Sequence, residues 1–360
     1  MSLAPIDLMI IAAYAAGLIA LATLISREKA GHKKNTSDYF LAGKSLPWWA
    51  IGASLIAANI SAEQIIGMAG SGYAVGLAIA SYEWMAALAL LLVGKFFLPI
   101  FLKRGIYTMP QFLEQRFGPS VKYVMSVFWI GLYTFVNLTT VLWLGATAIS
   151  AMTGAPMIMG MILLAMLAAA YSLYGGLKAV AMTDIIQVIL LIVGGFIITG
   201  IVLEKVGGGD ALAGYQRLAA EFPAKFDMIL SRDNPEYKNL PGLSVVIGGM
   251  WIMNLSYWGC NQYIIQRALG AKDLKEAQKG ILFAAFLKVL MPLIIVVPGI
   301  AAFALTPDLA KPDQAYPEMM KLVPEGLRGL IFAGLIAAIV SSLGSMMNSI
   351  STIFTMDLYK

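Results

Sequence analysis

Nine apolar runs, each about 20 residues or longer, limit what this sequence can fold into. They fall at 6–25, 47–71, 78–102, 122–150, 155–174, 180–203, 243–268, 278–305 and 329–358. A run of about 20 apolar residues crosses the hydrocarbon core of a bilayer as a helix. Backbone polar groups cannot be left open in lipid, so spanning segments are helices or closed barrels. These runs are too long and too continuous for barrel strands. The expected fold is all-α and polytopic, one transmembrane domain over residues 1–360 with the lipid bilayer as its solvent.

Composition agrees. The 360 residues are 59% hydrophobic and 12% charged, whereas an average soluble domain is about a quarter charged. The net charge of +5 does not indicate nucleic acid, because the basic residues lie between the apolar runs rather than in one patch. One cysteine, Cys260, excludes an internal disulfide and a cysteine-built metal site. With a single histidine, His32, transition-metal chemistry is not expected. The 21 methionines are scattered and read as packing residues. The first run is too long for a signal-peptide core, and its positive charge (Arg27, Lys29, Lys33 and Lys34) follows it. It reads as a permanent helix.

Lys and Arg in short loops orient the chain. The loop 26–46 holds Arg27, Lys29, Lys33, Lys34 and Lys44; 103–121 holds Lys103, Arg104 and Arg116; 269–277 holds Lys272 and Lys275. Loops 72–77 and 151–154 hold neither residue type. The N-terminus is therefore expected outside, with 26–46, 103–121 and 269–277 cytoplasmic. The longer loops 204–242 and 306–328 fall outside, and 204–242 is expected to contain short surface helices.

Polar residues interrupt some of the runs. The second reads Asn59-Ile60-Ser61-Ala62-Glu63-Gln64 at its centre, followed by Gly67, Gly70 and Gly72. Transporters break helices at mid-depth so that unwound carbonyls hold ions and helix ends face substrate. The alternative is an intact helix with a polar face against its neighbours. The seventh run is interrupted by Asn254-Leu255-Ser256, which matches Asn59-Ile60-Ser61 as Asn-x-Ser, and then by Trp258, Gly259, Asn261 and Gln262. An interruption is expected there too. Runs two and seven lie five spans apart, and an odd offset defines an inverted repeat.

Glu83 lies in the third run and Lys288 in the eighth, the second helices of the two repeats. A charge within a span is costly and usually faces a cavity. Lys288 has about ten mainly apolar residues on each side, which makes snorkelling hard. Glu83 stands nearer its helix end, where an interfacial position is an alternative. Asp184 opens the sixth run and reads either as a functional carboxylate or as a cap. Asn137 reads as an interhelical hydrogen-bond former. In the ninth run Ser341 and Ser342 suit a hard cation that wants oxygen ligands, or else small-residue helix packing.

Longer stretches add a resemblance. Asp38-Tyr39-Phe40-Leu41-Ala42-Gly43-Lys44, the Asn59–Gln64 stretch, Ser81-Tyr82-Glu83-Trp84, Tyr174-Gly175-Gly176-Leu177-Lys178-Ala179 and Asn261-Gln262-Tyr263-Ile264-Ile265-Gln266-Arg267 resemble the sodium/solute symporters, most of all their bacterial sodium/glucose (galactose) branch. The resemblance runs from the first run to the last residue. It implies a leucine-transporter type of fold: an extra leading helix (6–25), a first five-helix repeat (about 47–203) and a second, partial repeat (about 243–360). By the same resemblance, Gln64, Glu83, Asn254 and Lys288 hold sugar hydroxyls. Tyr257 stacks on the sugar ring as the inner gate, with Asn59 as its hydrogen-bond partner, and Tyr82 and Trp258 line the pocket. Sodium binds the carbonyls of Ala57, Ile60 and Ala338 and the hydroxyls of Ser341 and Ser342, and Asp184 assists its exit to the cytoplasm. Ala86 stands where the sugar branch has a serine that touches the sugar. The family has at least two further helices beyond the ninth run, so the chain is expected to be a fragment of a longer protein.

The expected function is sodium-coupled symport of a hexose in a bacterial inner membrane. Sodium is the coupling ion; no enzymatic chemistry and no organic cofactor are implied. The alternatives are another solute, such as myo-inositol, proline or sialic acid, or a sensory membrane domain of a signalling protein.

Overall fold

The structure is a computed structural model that describes residues 3–26, 35–61, 63–240 and 242–359, with the backbone alone at 26, 171 and 173–175. Arg27, Lys29, His32, Lys33, Lys34 and Ala62 lie outside the described residues, and so do the side chains of Tyr174 and Gly175. Every apolar run coincides with helix. The membrane-embedded helices are α1 (Pro5–Ser26), α2 (Trp48–Asn59), α3 (Glu63–Ala74), α4 (Leu77–Arg104), α5 (Pro119–Thr153), α6 (Met157–Gly207), α7 (Gly249–Cys260), α8 (Gln262–Leu269), α9 (Leu274–Leu305) and α10 (Leu327–Tyr359).

Among the described residues, six helices are long and apolar enough to cross a membrane singly, and two bent pairs qualify as broken spans. One is α2 with α3, bent by 65°; the other is Pro235–Ile247 with α7, bent by 76°. The fifth run is represented by the shorter apolar stretch Met157–Ala170. At about 1.5 Å per residue, a helix of 51 residues would be more than twice as long as a bilayer core is thick. Accordingly α6 is two spans joined at Gly176, whose φ of 57° and ψ of −167° leave helical geometry. That conformation suits glycine, and a Cβ there would lie 2.6 Å from the Tyr39 carbonyl. The two spans expected at 155–174 and 180–203 are thus joined by one residue, not by a loop.

Local chemistry sets several helix ends. Asp273 caps α9 by accepting from the Glu276 N–H at 2.8 Å. Glu276 in turn accepts from the Trp48 N–H at 2.8 Å, at the start of α2, where Pro47 offers no side-chain cap. The loop beyond α6 carries a helix at Ala211–Glu221 and single turns at Pro223–Phe226 and Pro235–Lys238, as expected of 204–242. Its Lys225 donates to the carbonyls of Tyr73 (2.8 Å) and Ala74 (2.6 Å) at the end of α3. The same ammonium stands 4.3 Å from the Phe303 ring centroid, and partial burial lowers its pKa below the usual lysine value.

Packing is close around α9. Gly72 of α3 lies against Val296, where a Cβ would meet the carbonyl at 2.7 Å, and Gly299 lies against the Ala69 carbonyl. Small residues let backbones approach in this way where lipid removes the hydrophobic drive for helix association. On the other side α6 packs extensively against α10, and α1 packs against both. Asp7 of α1 is fully buried. Its carboxylate accepts from the N–H groups of Gly326 (2.7 Å) and Gly329 (2.8 Å) at the start of α10. The leading helix thus supplies the N-terminal cap that α10 lacks in its own sequence, since Gly326 offers no side chain.

Asp7→Ala is expected to cost about 1–2 kcal/mol, as loss of a helix cap does. Asp7→Asn, which keeps an acceptor, should cost less. Thermal unfolding midpoints of the purified variants in detergent check both.

Candidate functional site

The second run breaks where its polar residues cluster. α2 ends at Asn59, and Ile60 turns to extended geometry (φ −80°, ψ 94°). The Ser61 N–H donates to the Asn59 carbonyl at 3.0 Å rather than four residues back to Ala57. The chain resumes as a π-helical turn at Glu63–Gly67, a distortion common at functional sites. This break lies deep in the protein: Ala57 and Ile60 are buried.

The seventh run breaks in the later part of its polar stretch, not at Asn254-Leu255-Ser256. Asn254-Leu255-Ser256 lies within regular helix α7, and the interruption falls at Asn261 (φ −75°, ψ 121°), with a further one at Gly248. Asn254 satisfies its amide on its own helix, donating to the Met250 carbonyl at 3.0 Å, and Ser256 is exposed. Neither therefore opens the backbone. The Asn-x-Ser match between the two runs does not mark equivalent positions, since Ile60 and Asn261 are the residues that leave the helix.

A cavity of about 170 Å³ lies between the broken elements, lined by Asn59, Gln64, Tyr82, Glu83, Asn254, Tyr257, Trp258 and Lys288 with Met68, Ala86 and Met253. All eight residues expected at the sugar site are brought together here. Glu83 is 3% and Lys288 1% exposed, which rules out the interfacial position for Glu83. The Lys288 ammonium donates to Glu83 Oε2 at 2.6 Å, and Gln64 Nε2 donates to Oε1 at 2.5 Å. Direct pairing offsets the burial cost of both charges in a low-dielectric site, so no bridging group is required. Lys288 also stands 5.2 Å from the Trp258 ring centroid. Pro292 follows four residues later and has no N–H, so the Lys288 carbonyl lacks its helical donor.

Tyr257 forms one wall. Its hydroxyl accepts from Asn59 Nδ2 at 3.0 Å and pairs with the Tyr263 hydroxyl at 2.8 Å. A second cavity, about 160 Å³, also touches Asn59, Gln64 and Tyr257, with Ala58, Ser61, Glu63, Asn137, Tyr263 and Met346. Tyr257 and Asn59 thus stand between the two spaces. Asn137 lines the second and, among the described residues, makes no side-chain hydrogen bond to another helix, contrary to expectation.

The serine pair of α10 faces inward. Ser342 is fully buried and donates to the Ala58 carbonyl at 3.1 Å, beside the break in α2. Ser341 donates to Asp184 Oδ1 at 2.5 Å. Ala338 lies one turn earlier on α10 and is also fully buried. Ala57, Ile60, Ala338, Ser341 and Ser342 are thus the facing parts of two packed helices. Asp184 is not a cap. It lies within α6, fully buried, and accepts from Ser54 as well, at 2.5 Å. Among the described residues no cluster of three or more His, Cys, Asp or Glu is placed to hold a metal ion.

Arg267 of α8 is the residue that sequence reasoning missed. It is 1% exposed and stands 3.8 Å from Asp184, a second buried ion pair. The one signal was that Asp184 and Arg267 both fall inside apolar runs, and the place of Arg267 near the end of its run masks it.

Comparison with known proteins places this architecture. The model of the Sodium:solute symporter family matches residues 39–360. The sodium/glucose cotransporter of Vibrio parahaemolyticus is 54% identical over 373 residues, covering 99% of this chain and 69% of that protein. The sodium/myo-inositol cotransporter 2 of Mus musculus is 35% identical over 387 residues, covering 99% of this chain and 57% of that protein. A solved structure of a substrate-bound, outward-open Na⁺-coupled sialic acid symporter superposes with a TM-score of 0.87 at 25% identity, covering 99% of this chain and 75% of that one. The chain belongs to the sodium:solute symporter family. It has that family's leucine-transporter type of fold, a leading helix followed by inverted repeats that open with the broken elements α2/α3 and α7/α8.

Breaking the Glu83–Lys288 pair from one side leaves a buried charge uncompensated. Lys288→Met is expected to destabilise by about 3–5 kcal/mol. Adding Glu83→Gln should recover much of that loss, as a double-mutant cycle in thermal unfolding will read.

Proposed function

We propose that this protein carries a hexose across the membrane in symport with sodium. The observation that supports it most is the paired Glu83 and Lys288 with Gln64 and Asn254 around a single buried cavity. A carboxylate accepts from hydroxyls, an ammonium donates to them, and amides do both, so together they read a polyol from several sides. Tyr257, Trp258 and Tyr82 add flat apolar area for the C–H face of a ring. The 54% identity to a sodium/glucose cotransporter supports the same solute class. Tyr257, held by Asn59, is the gate between the sugar cavity and the second cavity.

For sodium, the carbonyls of Ala57, Ile60 and Ala338 and the hydroxyls of Ser341 and Ser342 are neutral oxygens suited to a hard cation. The fit rests on Ser342 facing the break and on Ser61 directing its N–H away from the Ala57 carbonyl. Asp184, bonded to Ser341, lies where it can draw the ion from its site towards the cytoplasm. The membrane potential adds about 2.3 kcal/mol per charge per 100 mV to an inward sodium step. The orientation that fits this reading has the N-terminus outside in a bacterial inner membrane. Transport of this kind makes and breaks no covalent bond, so the protein is not an enzyme.

Uptake of labelled glucose, galactose and myo-inositol into proteoliposomes, with and without a sodium gradient, tests the assignment in the full-length protein. Sodium-driven hexose uptake is expected, and uptake indifferent to sodium or selective for a non-polyol solute overturns it. Lys288→Ala should abolish hexose uptake. Lys288→Arg should not restore it, because a planar guanidinium does not match a site shaped for an ammonium. Ser342→Ala should raise the sodium concentration for half-maximal uptake while leaving sugar affinity at saturating sodium largely unchanged.

A further inference from the structure

Arg267 has no part in the sugar cavity, yet it is among the largest fully buried side chains. Its Nε donates to the Ser54 carbonyl (2.9 Å) and hydroxyl (2.8 Å), Nη1 donates to the Tyr263 carbonyl, and Nη2 donates to the Ser345 hydroxyl. These partners lie on α2, α8 and α10, so the guanidinium is fixed from three helices. Towards Asp184 it makes a different contact. Nη2 stands 3.8 Å from Oδ2, beyond hydrogen-bond length. The Asp184 oxygens instead accept from Ser54 and Ser341 at 2.5 Å each. Arg267 therefore acts on Asp184 through charge, which at this separation is strong in a buried site.

Ser341 joins this network to the sodium site. Its hydroxyl donates to Asp184, and its carbonyl accepts from Ser345 at 2.6 Å, the residue that Arg267 also engages. A cation at Ser341 and Ser342 is thus one side chain away from a fixed positive charge by two routes. We propose that Arg267 is a tethered internal cation that sets the sodium affinity. It competes with sodium for the field of Asp184 and keeps that carboxylate compensated when the ion leaves. Arg267 touches neither ion nor sugar and is a positioning residue. The inference rests on the sodium reading of Ser341 and Ser342.

The test is an equilibrium sodium titration of the purified protein, read as the shift in thermal unfolding midpoint, with choline holding ionic strength constant. Arg267→Gln should lower the half-saturating sodium concentration about tenfold, because a buried repulsion is removed. Arg267→Lys, which keeps the charge, should stay nearer the parent protein. Asp184→Asn should raise the half-saturating concentration, and adding Arg267→Gln to it should bring the value back down about tenfold. That last pair leaves no unpaired charge in the double variant and keeps the test decisive if Arg267→Gln alone does not fold. A purely structural role predicts equal or weaker sodium binding in Arg267→Gln and no recovery in the double variant, and either result overturns the inference. A parent protein that ignores sodium overturns the sodium reading itself and this inference with it.

Discussion

A charge buried in a lipid-solvated protein persists only if another charge or a set of oriented dipoles compensates it, and two such compensations organise this molecule. Glu83 with Lys288 joins α4 to α9. Asp184 with Arg267 joins α6 to α8, and the surrounding serines draw in α2 and α10. Removing one member would strand its partner at a cost of several kcal/mol. The pairs therefore fix which faces of nearly featureless apolar helices turn inward, a choice that hydrophobicity alone leaves open in lipid. The two breaks in the helices follow the same logic. Open backbone is tolerated at Ile60 and Asn261 because both lie inside protein, away from lipid.

The cavity and the proposed ion site differ in their chemistry. Charged and amide groups line the cavity, offering both donors and acceptors. Neutral oxygens gather where α2 faces α10. Tyr257 stands between the two cavities, its hydroxyl held by two hydrogen bonds. Those bonds join the end of α2 to the α7/α8 pair, so the wall itself bridges the opening helices of the two repeats.

Much of this was legible in the sequence, for identifiable reasons. The spans were legible because lipid demands long apolar runs. The break in the second run was legible because Asn59, Ser61, Glu63 and Gln64 crowd six positions. Glu83 and Lys288 were conspicuous as lone charges in apolar surroundings. Other features were hidden by the same rules. Asn254 and Asn261 look alike as helix breakers in the seventh run, but the Asn254 amide is satisfied on its own helix, so the break falls at Asn261. Arg267 sits near the end of a run, where an arginine usually reaches for the headgroups, and only the fold shows it turned inward. Asp7 looks like an ordinary residue of the first turn of α1, yet it caps α10, more than 300 residues away in sequence. Such long-range pairings leave no local pattern.

The glycine contacts along α9 have a mechanical consequence. Gly72 and Gly299 bring α3 and α9 to backbone contact, with no side chain between them to act as a bearing. The two helices are welded, and Lys288 on α9 holds Glu83 of α4 and, through it, Gln64 of α3. These three polar residues are thus carried by one closely packed set of helices, while Asn254, Tyr257 and Trp258 belong to α7. The cavity is a seam between these helices and α7, and its paired charges, Glu83 and Lys288, lie on one side of that seam.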